Sequence, residues 1–430
     1  MAKKHIAAAF LATFALILTG CTAGGDSGGG DGKPSGDITV LTNRTDIVDT
    51  VFQDYKKTFE AKYPGTNVTF EAITDYEGEV NTRLSTKDYG DVLLIPSQVL
   101  PTQFSQFFEP LGNKDDLAKK YRFLNDKSYD GTQYGIPTFG SANGIVYNKK
   151  VWSDAGVKGL PTTPAAFIAD LQLIKNNTQA IPYYTNYKDV WPLSQWQGPQ
   201  GFTGKTTVVK DRDSSDAPWS AGSEENIIDG LIYDIVSNGL SEPDPLTTAW
   251  ESSKPALAKG EIGTMLLGSW SVIQMQEAAT AAGTDPADIG YMPFPYQTDG
   301  KYNVTIAGDF NNAINVNSSN KVTARAWIDW FTDESGYSEL SGALPTAIDG
   351  ATPDTLKDLD AAGVNYVQLD APENPSLDSD IYNAAEIDLF GGIYRQKLVD
   401  IARGAADGDK ESYFAQLNQK WAEARAGAGS

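Results

Sequence analysis

Histidine and cysteine are almost absent. The chain has one of each, His5 and Cys21, both near its start. Beyond them no imidazole and no thiol remains. That excludes Ser-His-Asp and Cys-His catalysis, disulfides within the chain, zinc sites built on Cys or His, and histidine pH switching. No metal and no cofactor is expected, and acid–base chemistry would have to come from carboxylates, Tyr or Lys. Positive charge is also scarce: 34 Lys and Arg stand against 56 Asp and Glu, a net charge of −22. Phosphate binding needs clustered cations, so nucleic acid is not an expected partner. The acidity suits a soluble monomer that does not adhere to an anionic membrane. Long apolar runs are limited to Ile6–Leu18, too short to span a bilayer as a mature helix. There is no internal repeat.

That run is headed by Lys3 and Lys4 and closes on Leu18-Thr19-Gly20-Cys21. A basic start, a short apolar core and small residues before a cut describe a signal peptide over residues 1–20. His5 leaves with it. Leu-Thr-Gly-Cys resembles the bacterial lipobox, which implies cleavage before Cys21 and a diacylglyceryl group on its sulfur. Two acyl chains anchor a protein stably. The alternative is a chance cysteine beside an ordinary cleavage site. Residues 21–36 are almost all Gly, Ser, Asp, Ala and Thr and read as a flexible tether, with order beginning near Asp37. The expected location is the extracellular face of the cell membrane, and the Gly/Ser tether favours a Gram-positive surface over a periplasm. The roughly 390 residues that follow exceed one typical core, so two lobes are expected.

The ordered chain opens with alternating strands and helices. Ile38–Thr42, Val68–Ile73 and Val92–Ile95 are β-rich. Asp46–Lys62 carries Ile47, Val48, Val51, Phe52, Tyr55 and Phe59 on one helical face and stops at Pro64-Gly65; Tyr76–Ser85 is a shorter helix. This βαβαβ order predicts an open α/β sheet, whose ligands sit beyond the carboxyl ends of the strands. Helices are predicted over Thr163–Lys175, Asn226–Asn238, Ser269–Ala282 and Thr323–Phe331. A helical tail is predicted over Ala384–Ala426, broken at Gly404–Gly408. Pro182–Ala221 is irregular and dense in Trp, Tyr, Gly and Pro, and Ala307–Val316 is strand-like.

Several motifs in this order resemble the solute-binding proteins of bacterial ABC importers, in the maltose-binding-like branch that takes sugars and oligosaccharides. Tyr134-Gly135-Ile136-Pro137 with Gly144-Ile145-Val146-Tyr147-Asn148-Lys149 is similar to its "GIP … YNK" element. Ala155-Gly156-Val157 followed by Leu160-Pro161-Thr162-Thr163-Pro164 is similar to the turn after it. Leu257–Met265 with Gly268-Ser269-Trp270 resembles "G … AM … GSW", and Ile289-Gly290 with Pro293-Phe294-Pro295 resembles "IG … PFP". The likeness continues through Ala313-Ile314, Ala326-Trp327 and Leu344-Pro345-Thr346. Gly90-Asp91-Val92 departs from it, since the family usually has Pro before Asp-Val; a less rigid start to that strand is expected. The resemblance implies a two-lobe, type II periplasmic-binding-protein-like α/β fold. One lobe comprises residues 37–147 and 306–343, the other 148–305 and 344–430, with crossings near Tyr147, Ile306 and Ala343. It further implies that a sugar is held between the lobes by hinge closure and passed unaltered to a membrane permease. Such a protein is not an enzyme.

A sugar offers apolar ring faces for stacking and hydroxyls that must be matched in a dry cleft. Candidates at the strand ends are Asn43, Arg44 and Asp46, then Asp75 and Tyr76, then Ser97 and Gln98. Asp46 is also placed to cap the first helix. Of Trp191, Trp196 and Trp219, one or two are expected to face ligand. Trp270 is assigned to the cleft on the resemblance, and Asp309 and Asn311 flank the second crossing. Trp152 and Trp327 read as packing, and Trp330 as helix surface. Asp211-Arg212-Asp213 with Asp216 reads as a solvated acidic loop rather than a calcium loop.

A lipid-anchored glycoside hydrolase using paired carboxylates is the main alternative, and a surface adhesin a second. Peptide, polyamine and iron binders share the architecture. The aromatic and amide-rich loops favour a neutral sugar, and the long Trp-rich segment favours an oligosaccharide. Trp270→Ala is expected to weaken sugar binding by about tenfold or more, about 1.4 kcal/mol or greater, without unfolding the protein; isothermal titration beside a thermal melt checks this.

Overall fold

The computed structural model describes residues 32–74, 76–372, 374 and 376–428. The signal peptide, Cys21, nearly all of the tether and Asp75 lie outside the described residues. Order starts as expected. Strand Gly36–Thr42 runs parallel to Thr66–Ala72 and Val92–Leu94. Asn311–Ile314 adds antiparallel beside Val92–Leu94, and Ile136–Pro137 closes the five-stranded sheet. Its three parallel strands bury Ile38, Val40, Val68, Val92 and Leu93, as a sheet covered on both faces requires.

Helix Val51–Lys62 buries Phe52, Tyr55 and Phe59 on this sheet. It begins five residues later than the apolar pattern predicts, because residues 45–50 form turns, and Thr50 stands at its N-cap without a side-chain bond. Asp46 therefore does not cap it. Trp330 is a correction too: it is 3% exposed, with its ring 5.6 Å from Phe59 and 6.0 Å from Tyr55. Gly90 accounts for the missing proline. Its φ is +71°, outside proline's range, and a Cβ there would lie 2.9 Å from Leu41. The strand start is nonetheless firm, because Asp91 accepts the Thr39 N–H at 2.8 Å and the Ser318 hydroxyl at 2.5 Å.

A second sheet is built on the long strand Gly140–Asn148. Ile289–Met292, Thr264–Gly268 and Asn303–Gly308 all pair antiparallel to it, and Asn365–Val367 extends the far edge. Helix Pro164–Asn177, capped by Thr163, and helix Glu224–Ser237, capped by Ser223, pack in the same core. The stretch from Pro182 to Ala221 folds as short helical turns. Within it residues 208–213 are helical rather than a solvated loop, and Arg212 is 2% exposed in ion pairs with Asp378 and Glu225. The tail forms helices Leu377–Ala384, Ile393–Ala402 and Lys410–Ala428, broken by Gly404 and Gly408 at positive φ. Residues 385–392 are not helical, contrary to the predicted continuous start.

The two sheets give a two-lobe α/β fold. The chain changes sheets between Pro137 and Gly140, ahead of Tyr147, and again between Gly308 and Asn311, just past Ile306. These segments lie side by side, with Gly308 opposite Gly140. A third segment joins them: Leu344 exchanges both backbone hydrogen bonds with Gly140, and Thr346 Oγ1 donates to Pro137 O at 2.9 Å. Phe123, buried and at φ 63°, lies over the paired glycines. A Cβ on Gly140 would come within 2.2 Å of its ring, and one on Gly308 within 3.0 Å of its Cβ. Gly140→Ala is expected to displace that ring and destabilise the protein by about 1–3 kcal/mol, read as a lowered midpoint in urea unfolding.

Candidate ligand-binding cleft

Three tryptophans each open a helix at one end of the second sheet: Trp191 of Trp191–Ser194, Trp250 of Trp250–Ala258 and Trp270 of Trp270–Ala282. Their rings form a mutual cluster. Trp191 and Trp250 are 5.1 Å apart and nearly perpendicular, Trp250 and Trp270 are 5.7 Å apart, and Trp191 and Trp270 are 6.0 Å apart. All three are half-buried. Trp270 follows strand Thr264–Gly268 through Ser269, whose buried hydroxyl accepts the Ala142 N–H at 3.0 Å and ties the helix start to the crossing strand. Its ring packs against the apolar cores of both sheets, so it stands where the lobes meet. Half-exposed, mutually braced indoles present flat apolar faces at little entropic cost.

Polar groups gather at the carboxyl end of strand Gly36–Thr42. Arg44 donates from Nε and Nη2 to the two Asp46 oxygens, each at 2.8 Å, and from Nη1 to Tyr337 Oη at 3.1 Å. These bonds hold the Asp46 carboxyl below its ordinary pKa. Asn43, Thr138, Asn312, Phe310 and Tyr337 line a pocket beside this pair. Asp309 sits in the changeover segment and accepts the Phe310 N–H at 2.8 Å. Burial pushes its carboxyl up to about 6, against the pull of that bond and of Arg44. Asn311 donates from Nδ2 to Asp309 O at 2.9 Å, while its Oδ1 and the Nδ2 of Asn312 are buried without a partner. Open hydrogen-bonding capacity of this kind suits a polar ligand.

Other candidates are placed elsewhere. Tyr76 is 4% exposed, and its hydroxyl accepts the Leu94 N–H at 2.8 Å, so it is a core residue. Ser97 and Gln98 are exposed, and Ser97 is bound through N and Oγ to Glu77 at 2.7 and 3.0 Å. Trp196 and Trp219 are each 1% exposed. Trp196 packs 5.7 Å from Tyr183, and Trp219 donates its indole N–H to Asp229 at 2.7 Å. Neither has a free face to stack on a ligand. Of the three tryptophans in the irregular segment, Trp191 alone is open. Trp152 is packing as expected and donates to Thr264 Oγ1 at 3.1 Å.

Sequence reasoning missed Trp250, although Thr247-Thr248-Ala249-Trp250 has the same polar, helix-opening context as Trp191. It also missed the loop at Asn125-Asp126-Lys127. Asp126 is exposed, yet desolvation raises its pKa, and desolvation lowers that of Lys127. Lys127 stands beside Asn311, the Cβ atoms of both lying about the same glycine, Gly135. From this loop Asn125 Nδ2 donates to Leu369 O at 3.1 Å, linking it to the segment after the edge strand of the second sheet. Among the described residues no group of three or more acidic, Cys or His side chains is placed to hold a metal ion.

The fold is shared with solved structures. BlMnBP1, a binding protein of an ABC transporter from Bifidobacterium animalis subsp. lactis in complex with mannobiose, superposes with a TM-score of 0.84 at 32% identity, over 92% of this chain and 97% of that one. BlMnBP2 from the same organism, described as manno-oligosaccharide specific and solved with mannotriose, gives 0.85 at 32% identity, over 92% and 95%. The diacetylchitobiose binding protein DasA of Streptomyces coelicolor is 28% identical over 372 residues, 80% of this chain and 82% of its own length. Residues 43–338, which include most strands of both sheets and all three cluster tryptophans, match the bacterial extracellular solute-binding protein family, and the chain belongs to that family.

Proposed function

We propose that this protein captures a neutral oligosaccharide between its lobes and delivers it, chemically unaltered, to the permease of an ABC importer, while a lipid on Cys21 tethers it as a monomer at the outer face of the membrane. The observation that carries the reading is the Trp191–Trp250–Trp270 cluster, three half-buried indoles of which Trp270 packs against the cores of both sheets. Sugar ring faces stack on the indoles, and Asn43, Arg44, Asp309 and Asn311 pair with the hydroxyls. Ligand that touches both lobes favours closure by differential contact, and the permease reads the closed form. The relatives bound to mannobiose and mannotriose, together with the diacetylchitobiose-binding one, support a short chain of sugars and put manno-oligosaccharides first. Lobe boundaries at the changes of sheet, residues 137–140 and 308–311, with a third near residue 343, and a Gram-positive surface belong to the same proposal.

Isothermal titration with mannobiose, mannotriose, diacetylchitobiose and maltotriose is expected to give tight binding by at least one. Silence from every sugar, with a peptide or polyamine bound instead, would overturn the ligand class. Steady release of reducing ends from any of them would favour the hydrolase.

Asp309 supplies a pH signature. A carboxylate accepts sugar hydroxyls more strongly than a protonated carboxyl does. Its folded pKa is raised to about 6, so the charged acceptor is present above that value and is lost as the pH falls through it. Affinity is therefore expected to drop between about pH 7 and about pH 5, and Asp309→Asn to be weaker and flat across that range. A wild-type affinity that does not change would remove Asp309 from the site.

A further inference from the structure

Val190 has φ 61° and ψ −51°. Among the described non-glycine residues at positive φ it is the β-branched one; the others are Phe, Asp, Asn and Glu. The angles approach those of a γ-turn of the rare, strained kind, in which a β-branched side chain crowds the backbone. The next residue is Trp191.

The strain does not stand alone. Asn186, at φ 52°, opens the same turn, and residues 187–189 form a single 3-10 turn between the two. The turn is held from several sides. Glu242 accepts the Thr185 N–H at 2.9 Å, and Thr185 Oγ1 accepts the Tyr187 N–H at 3.2 Å. Lys188 N donates to Thr248 Oγ1 at 2.9 Å, and Gln396 Nε2 to Tyr187 O at 3.2 Å. The Asp189 carboxylate accepts the Trp250 N–H, so one residue of this turn grips the start of the helix that presents the second tryptophan. Gly392, at φ +93°, lets the chain press against Val190, since a Cβ there would fall 2.9 Å from Val190 O. Backbone strain survives only where the surroundings over-determine it, and such places cluster at ligand clamps.

We infer that Val190 is a positioning residue for the aromatic wall: its strained turn, pinned by Asp189, Thr185 and Gln396, holds Trp191 against Trp250 and Trp270 before any ligand arrives. Valine disfavours this φ, so the surrounding bonds hold the turn, and within those bonds the branched side chain leaves the backbone little room to wander. Glycine reaches the same φ without crowding but also reaches many others. The fold thus retains strain in exchange for a preformed stacking surface, which lowers the entropy lost on binding. This inference rests on the reading of the cluster as the ligand-facing wall.

The test compares Val190→Gly, Val190→Ile and Trp191→Ala. Indoles 5–6 Å apart couple their transitions, so the cluster gives an exciton couplet in the circular dichroism of the free protein, and Trp191→Ala defines the part due to Trp191. Val190→Gly is expected to melt at or above the wild-type temperature, to lose most of that part, and to bind mannotriose at least about fivefold more weakly. Val190→Ile, which keeps the branched Cβ, is expected to retain the couplet. A Val190→Gly variant with an intact couplet overturns the inference. So does one that loses the couplet only together with a lowered melting temperature, since that is ordinary structural damage. The couplet needs no ligand, so it decides on the turn even where the sugar reading fails; Trp191→Ala binding mannotriose like wild type would overturn that reading alone.

Discussion

Two glycines facing each other under a phenylalanine ring set the geometry on which both lobes depend. Gly140 and Gly308 pair across the changeover, Phe123 covers them, and Leu344 bonds back to Gly140. Three passages of the chain between the sheets are thereby brought within hydrogen-bond reach of one another. A side chain at either glycine would separate them. The narrow junction also fixes what lies next to it: Asp309 and Asn311 follow Gly308 directly, and Trp270 is tied to the same strand through Ser269 and Ala142.

The proposed cleft is asymmetric in chemistry. The second sheet carries the aromatic cluster, and the charged and amide groups stand at the end of the first sheet, at Asn43 and Arg44, and in the changeover at Asp309. Each half is incomplete alone. Stacking gives area without selecting among sugars, and hydroxyl pairing selects but gives little net free energy in water. In the proposed closed form both gain, because water excluded from between the halves would leave the polar groups dependent on a matched ligand. Away from the cluster, the buried carboxylate of Asp229 is fully engaged. Asp229 takes Arg395 Nε at 2.8 Å, the Trp219 indole at 2.7 Å and the Tyr394 hydroxyl at 3.1 Å, so the helices behind the aromatic wall are cross-braced rather than merely packed.

Much of the framework was legible in the sequence. The alternating strands, the helix stop at Pro64-Gly65, the capped helix after Thr163 and the break at Gly404–Gly408 rest on local periodicity and punctuation, which act over a few residues. Helix starts were less legible. Asp46 looks like a cap, but its carboxylate is taken by Arg44, a partner the local pattern does not rank. The acidic look of Asp211-Arg212-Asp213 misled for the same reason: Arg212 meets its partners Asp378 and Glu225 from distant parts of the chain.

The sequence by itself determined the class of the protein: an acidic, nearly histidine-free α/β chain behind a signal-like start, with aromatic residues in polar loops. These follow from composition and near-neighbour spacing. Which aromatics reach the cleft was decided only by tertiary structure. Trp191, Trp196 and Trp219 share one irregular segment, yet one lies open and two are sealed in the core, because exposure depends on what other segments fold over a ring. Trp250 joins the tryptophan cluster by docking of its helix against a turn about sixty residues away, through a bond from its backbone to Asp189. No local pattern carries that information.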